Sequence, residues 1–235
     1  MKKIFKLLLK LFLGLIGLLF ILFIVLKISF SEDIPSGITG QPADELALKV
    51  LKAINHKEFT QASELHWTFA GRNRYEWKLQ QDLVDVYWDD YRVSLQTKYP
   101  KISFAWKGDE KLKGEAFDNA VATAQANFNN DSFWMIAPHK LFDPGVTRQV
   151  IQQDEKQQLL VTYTNGGSTP GDSYLWELDE NNQPVAFKMW VSIIPLDGIR
   201  ATWDDWEMTD CGFPLSRKRN FYGIEIPITE VKVIP

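Results

Sequence analysis

Residues 7–26 read LLLKLFLGLIGLLFILFIVL, a run whose one charged residue is Lys10. About 20 such residues rising 1.5 Å each match the ~30 Å hydrocarbon layer of a bilayer, and the polar stripe of a core helix is missing. A cleaved signal peptide has a shorter apolar run, roughly 7 to 15 residues, that ends at small residues. Here the run passes directly into Lys27, Ile28, Ser29 and Phe30. Residues 1–30 are therefore read as an uncleaved transmembrane anchor. Pro35, Gly37, Gly40 and Pro42 break regular structure across residues 31–42, where Glu32 and Asp33 keep the chain wet, so this segment reads as a linker.

Helical spacing begins near Ala43. Leu46, Val50 and Ile54 share one face of residues 43–59 with Leu51 beside them, and Asp44 and Glu45 fall in the first turn, where the helix dipole favours acids. Strand signals follow at residues 65–70 and 75–79, the latter placing Tyr75, Trp77 and Leu79 on one face. Residues 83–95 group Val84, Val86 and Trp88 before breaking at Asp89 and Asp90. Residues 75–79 and 83–95 read as antiparallel neighbours.

A second helix is predicted over residues 114–130, with Phe117, Val121, Ala124 and Phe128 at helical spacing; a compact apolar stretch, residues 133–138, comes after it. The turn chemistry of residues 142–145 then introduces a region that is nearly all strand. Residues 158–164 pair with 173–178 across a long loop, and strands follow at 185–194, 201–208 and 223–234, with Pro227 suggesting a bulge or an edge. The pattern predicts an α+β domain over residues 43–235: a single curved antiparallel β-sheet, a half-barrel, with helices packed on one face.

Charge narrows the partners. Five of the 26 basic residues precede Ser31, which leaves 21 against 30 acidic side chains and a formal charge of −9 on the remainder. Nucleic acid demands a basic face and is excluded as a partner; anionic headgroups are disfavoured. Lys2, Lys3 and Lys6 hold the N-terminus in the cytoplasm. The expectation is a single-pass protein of the inner (cytoplasmic) membrane with a periplasmic or otherwise extracytoplasmic domain. Cys211 is the sole cysteine, so no disulfide forms within the chain, and it reads as a small buried apolar residue.

Candidate chemistry is sparse. His56, His66 and His139 are dispersed and lack H-x-H or H-x-x-x-H spacing, so no metal site or cofactor is expected. Asp89-Asp90 and Asp204-Asp205 are adjacent pairs whose side chains point opposite ways in a strand, and they read as turn formers or solvated positions. Residues 165–172, NGGSTPGD, lack the lysine and the helix of a phosphate loop and read as a flexible connection. A hydrolase would need Asp204, Asp205 or Cys211 to meet a histidine in a cleft. Nine Trp remain. Their bland reading is a Trp-rich core; the sharper one is an apolar cavity lined by Trp77, Trp88, Trp176, Phe187 and Trp190, all on strand faces.

By element order over residues 43–234, the chain resembles the periplasmic lipoprotein-carrier (LolA-like) half-barrel. That resemblance implies a cavity formed by an N-terminal helix, an antiparallel sheet and lid helices, which takes acyl chains. The stretches PGDSYLW (residues 170–176) and WELDE (176–180) point to a distinct, membrane-anchored envelope family. Two functions are thus expected: a non-enzymatic envelope protein binding a lipid or other apolar ligand, or a protein-interaction module with a solid core that holds an envelope partner.

Overall fold

The computed structural model describes residues 2–153 and 156–235. Helix α1 (Lys2–Phe30) contains the apolar stretch Leu8–Phe30, which is long and apolar enough to cross a bilayer and has no buried share in the fold. The predicted helix at residues 43–59 is two helices, α2 (Gln41–Ala53) and α3 (His56–Gln61). Asn55 separates them in the left-handed region (φ 49°), a conformation Asn tolerates better than most residues. Strands β1 (Glu64–Phe69), β2 (Asn73–Lys78), β3 (Leu83–Trp88) and β4 (Tyr91–Gln96) form successive hairpins, followed by β5 (Phe104–Lys107) and the short β6 (Glu110–Lys111). The predicted pairing of residues 75–79 with 83–95 is present, and Asp89 turns the β3–β4 corner at φ 47°.

Helix α4 (Gly114–Ile136) runs past its predicted end at 130, taking in Phe133 and Trp134, and a 3₁₀ turn (Ala137–His139) closes it. Strands β7 (Val146–Gln153), β8 (Lys156–Tyr163), β9 (Ser173–Leu178), β10 (Pro184–Trp190) and β11 (Ile199–Thr202) follow, then β12 (Asp204–Met208), β13 (Pro214–Phe221) and β14 (Ile224–Ile234).

The described strands form two antiparallel sheets, where the sequence predicted one. Nine strands run in the order β12-β13-β14-β1-β2-β3-β4-β5-β6, and five in the order β11-β10-β9-β8-β7. The correction has a local cause at residues 201–208, which read as one strand. Thr202 ends β11 in the five-stranded sheet and Asp204 begins β12 in the other; between them the Trp203 N–H donates to the Val185 carbonyl (2.8 Å), and Asp205 takes φ 51°. Pro227 lies where β14 leaves its pairing with β13 for pairing with β1, and the irregular register falls nearby, between His66 and Thr68.

Each sheet has its own core. The nine-stranded sheet packs Leu65, Trp67, Tyr75, Val84, Val86 and Leu95 against Val121, Ala124 and Phe128 of α4. The five-stranded sheet packs Leu159, Val161, Trp176, Phe187 and Met189 against Leu46, Ala47 and Val50 of α2; Leu46 and Val50 belong to the stripe read from the sequence. Trp134 touches both cores, its ring 6.5 Å from Phe69 and 5.6 Å from Phe187. Beside it the guanidinium of Arg219 is wholly buried, lies 3.9 Å over the Trp203 ring and donates to the carbonyls of Trp134 and Lys218.

The linker is not a loose tether. Its amide at Glu32 donates to the Asp197 carbonyl (3.0 Å), and Ile38 and Val150 exchange two backbone hydrogen bonds (3.0 and 2.8 Å) along the β7 edge. Residues 31–38 thus reach from β10 across the outer face of the five-stranded sheet to β7.

Candidate functional site

Three segments remote in sequence meet at a cleft of about 430 Å³: α2–α3, the end of β2 with its turn, and the chain following α4. Leu51, Phe59, Trp77, Leu79, Ile136 and Phe142 supply apolar walls, and His56, Thr60, Gln80, His139, Lys140 and Asp143 supply as many polar groups. A concavity that joins apolar walls to convergent polar groups is a common form of small-ligand site.

The two histidines carry its distinctive geometry. His56 Nδ1 lies 3.2 Å from His139 Nδ1, so one ring donates and the other accepts. Phe59 stacks on His139 with centroids 4.1 Å apart, and Phe213 meets both rings edge-on. Burial holds His139 well below the ordinary imidazole value, and neighbouring His56 pushes the same way. Burial lowers His56 too, against an opposing pull from the Asp143 carboxylate. At neutral pH the pair is therefore uncharged. Lys140 and Asp143 form an ion pair beside it.

Periodicity could not find this pair, because 83 residues separate its members. The third histidine, His66, is elsewhere, paired with Glu64 on β1 at 2.8 Å. Among the described residues no three His, Cys, Asp or Glu side chains converge as metal ligands.

The five aromatic residues proposed from sequence are not brought together. Trp77 lines the cleft. Trp88 shares its sheet face but stacks on Tyr91 in the first core, centroids 5.1 Å apart. Trp176 and Phe187 meet in the second core at 5.3 Å. Trp190 lies on the opposite face of that sheet from Phe187, as adjacent parity along β10 requires; it packs with Ile151, Leu160 and Leu175, and its indole N–H donates to the Glu32 carbonyl at 2.6 Å. The reason is the division into two sheets: residues chosen for lying on strand faces belong to three separate clusters.

Asp90 lies in the exposed β3–β4 turn beside Asp89, Asp205 pairs with Lys218 at 3.3 Å, and Cys211 packs half-buried at the margin of the first core. Residues 165–172 form the long β8–β9 connection.

A second feature covers the outer face of the nine-stranded sheet. Arg74, Tyr87, Arg92, Trp106 and Lys111 occupy one cross-strand row from β2 to β6. Arg74 lies 3.8 Å over Tyr87 and Arg92 4.1 Å over Trp106. The row borders an open groove of about 570 Å³ that also takes in Asp89, Asp90 and Asp109. No protein-family model matches the chain, and no curated protein matches it.

Proposed function

We propose that this chain is a membrane-anchored binding protein that takes an acyl or other apolar ligand at the His56–His139 cleft. The carrying observation is the cleft itself: apolar walls from three segments around an imidazole pair that burial keeps neutral. Neutral imidazoles offer hydrogen bonds to a polar head without the desolvation cost of a free charge. This reading moves the ligand from a half-barrel interior to an edge cleft, and of the five aromatic candidates it keeps Trp77. The cationic residues Lys2, Lys3 and Lys6 support an extracytoplasmic domain.

The test is photocrosslinking. The full chain in lipid nanodiscs is exposed to a diazirine-bearing fatty acid, irradiated and digested. Adducts on peptides carrying Phe59, Leu79 or Phe142 are expected; adducts confined to α1 would refute the site.

The aromatic-cationic row favours a second reading, a protein-interaction module that holds an envelope partner on its outer sheet face. Arg, Tyr and Trp are enriched where proteins meet, and here they stack on one another along an outward sheet face. Partner capture lost in Trp106→Ala, with the cleft unlabelled, would select it.

A further inference from the structure

The structure ties one loop of the domain to the end of the membrane helix. Ser31 N–H donates to the Lys27 carbonyl (2.9 Å), continuing α1, and the next contacts leave the helix for residues 192–198, between β10 and β11. Asp197 N–H donates to Ser31 Oγ (3.1 Å), and Glu32 N–H donates to the Asp197 carbonyl (3.0 Å). Lys188 Nζ closes on both oxygens of the Glu32 carboxylate (2.8 and 2.6 Å), and Trp190 grips the Glu32 carbonyl. Two residues span at most about 7 Å. Asp197 is therefore held within roughly 10 Å of the end of α1 once a hydrogen-bond length is added.

That position has a depth. Leu8–Phe30 is 23 residues, about 35 Å of helix at 1.5 Å each, slightly more than the ~30 Å hydrocarbon layer. Lys27 in the last turn reaches toward the interface, so Phe30 and Ser31 fall among the headgroups. The tied loop falls there too. At its tip Ile193 is 68% exposed, and Ile34, two residues past Glu32 on the strap, is 50% exposed. Residues 192–198 carry no Lys or Arg.

We propose that residues 192–198, together with Ile34, form a second membrane contact that seats in the interfacial layer of the bilayer beside α1. The partner is the lipid surface itself. Because the contact is made by isoleucines and the neighbouring charges are Asp33, Asp197 and the Glu32–Lys188 pair, it depends on apolar insertion and not on anionic lipid. The inference rests on α1 crossing the bilayer and is independent of the cleft and its ligand. Its consequence is a fixed stance: the five-stranded sheet stands on the membrane at its β10–β11 end.

The test uses the full chain with Cys211→Ala, so that a single introduced cysteine carries a fluorophore. Ile193→Cys is compared with Asn181→Cys, an exposed site at the other end of β10, about 23 Å away for seven residues at ~3.3 Å. Proteins are reconstituted into phosphatidylcholine vesicles with headgroup-level spin-labelled lipid, and flotation confirms the anchor separately. Quenching at 193 at least about twofold stronger than at 181 is expected, unchanged by added phosphatidylglycerol or by salt. A label at Ile34→Cys should lose quenching when Ile193→Asp is added. Equal quenching at 193 and 181 in vesicles that float would overturn the contact while leaving the anchor standing.

Discussion

His56 and His139 face one another through their Nδ1 atoms at 3.2 Å, at a cleft where Phe59 stacks on the more buried ring. Folding holds both imidazoles below their ordinary value of 6.5, chiefly by burial. In the unfolded chain they titrate normally, so below pH 6.5 the unfolded state binds more protons than the folded state. Stability then falls as pH falls through that window and gains nothing further from this pair above it. With its ring neutral in the fold, the deeply buried His139 contributes a slope of up to about 1.4 kcal/mol per pH unit below 6.5, and the half-exposed His56, pulled back by Asp143, adds less. Urea unfolding measured between pH 5 and pH 7 should show stability falling with pH, and His139→Phe, which keeps a flat ring against Phe59, should remove most of that fall. A mutant slope equal to wild type would contradict the assignment.

Among the described residues no carboxylate forms an ion pair with the buried Arg219, although the charge of Asp204 favours its protonated form. Its guanidinium, which burial brings down to about 9, stays charged at neutral pH. Its stabilisation comes from the carbonyls of Trp134 and Lys218 and from the Trp203 ring, at the junction of the two sheets. Arg219→Ala removes these contacts and leaves a void, so urea unfolding should show a loss of about 3 kcal/mol. Arg219→Lys should restore less than half of it, because a point charge cannot bridge both carbonyls while covering a ring. A loss under about 1 kcal/mol for the alanine variant would show that the junction does not depend on this residue.

Much of this arrangement was readable along the chain, and the unread part has identifiable causes. The membrane helix, the apolar stripe of α2 and the β2–β3 pairing announce themselves by period, which depends on near neighbours alone. The split at Trp203 left no such mark, because Thr202 and Asp204 continue one alternating run while bonding to different sheets. The role of Trp190 was hidden likewise: its partner is the Glu32 carbonyl, 158 residues away, in a segment whose Pro and Gly content reads as slack. Backbone hydrogen bonds to an irregular strap carry no side-chain signature.

The strap makes its own prediction. A Cβ at Gly37 would meet the Val150 carbonyl oxygen at 2.1 Å, a position only glycine can fill. Gly37→Val should therefore free Ile38 from Val150 and uncover the β7 edge, raising deuterium uptake at both amides and promoting self-association. Unchanged uptake at Ile38 would show that the strap is held by other contacts.

Trp190→Phe keeps the ring on Ile151, Leu160 and Leu175 but removes the donor to Glu32. The expected cost is about 1 kcal/mol in global stability, with a larger effect on the linker, which should become sensitive to protease near Glu32 and Asp33. A wild-type cleavage pattern would contradict a fastening role for the indole.

The binding reading itself is tested most directly by native mass spectrometry, with lipid extraction, on the full chain purified from its own host's membranes. The comparison is a Leu79→Trp variant that fills the cleft. Lipid around α1 is common to both proteins, so the difference reports on the cleft. The account predicts one acyl or other apolar species near one per chain in the native protein and its loss in the variant. Identical bound species in the two proteins, with Trp fluorescence unmoved by fatty acids and phospholipids, would contradict it.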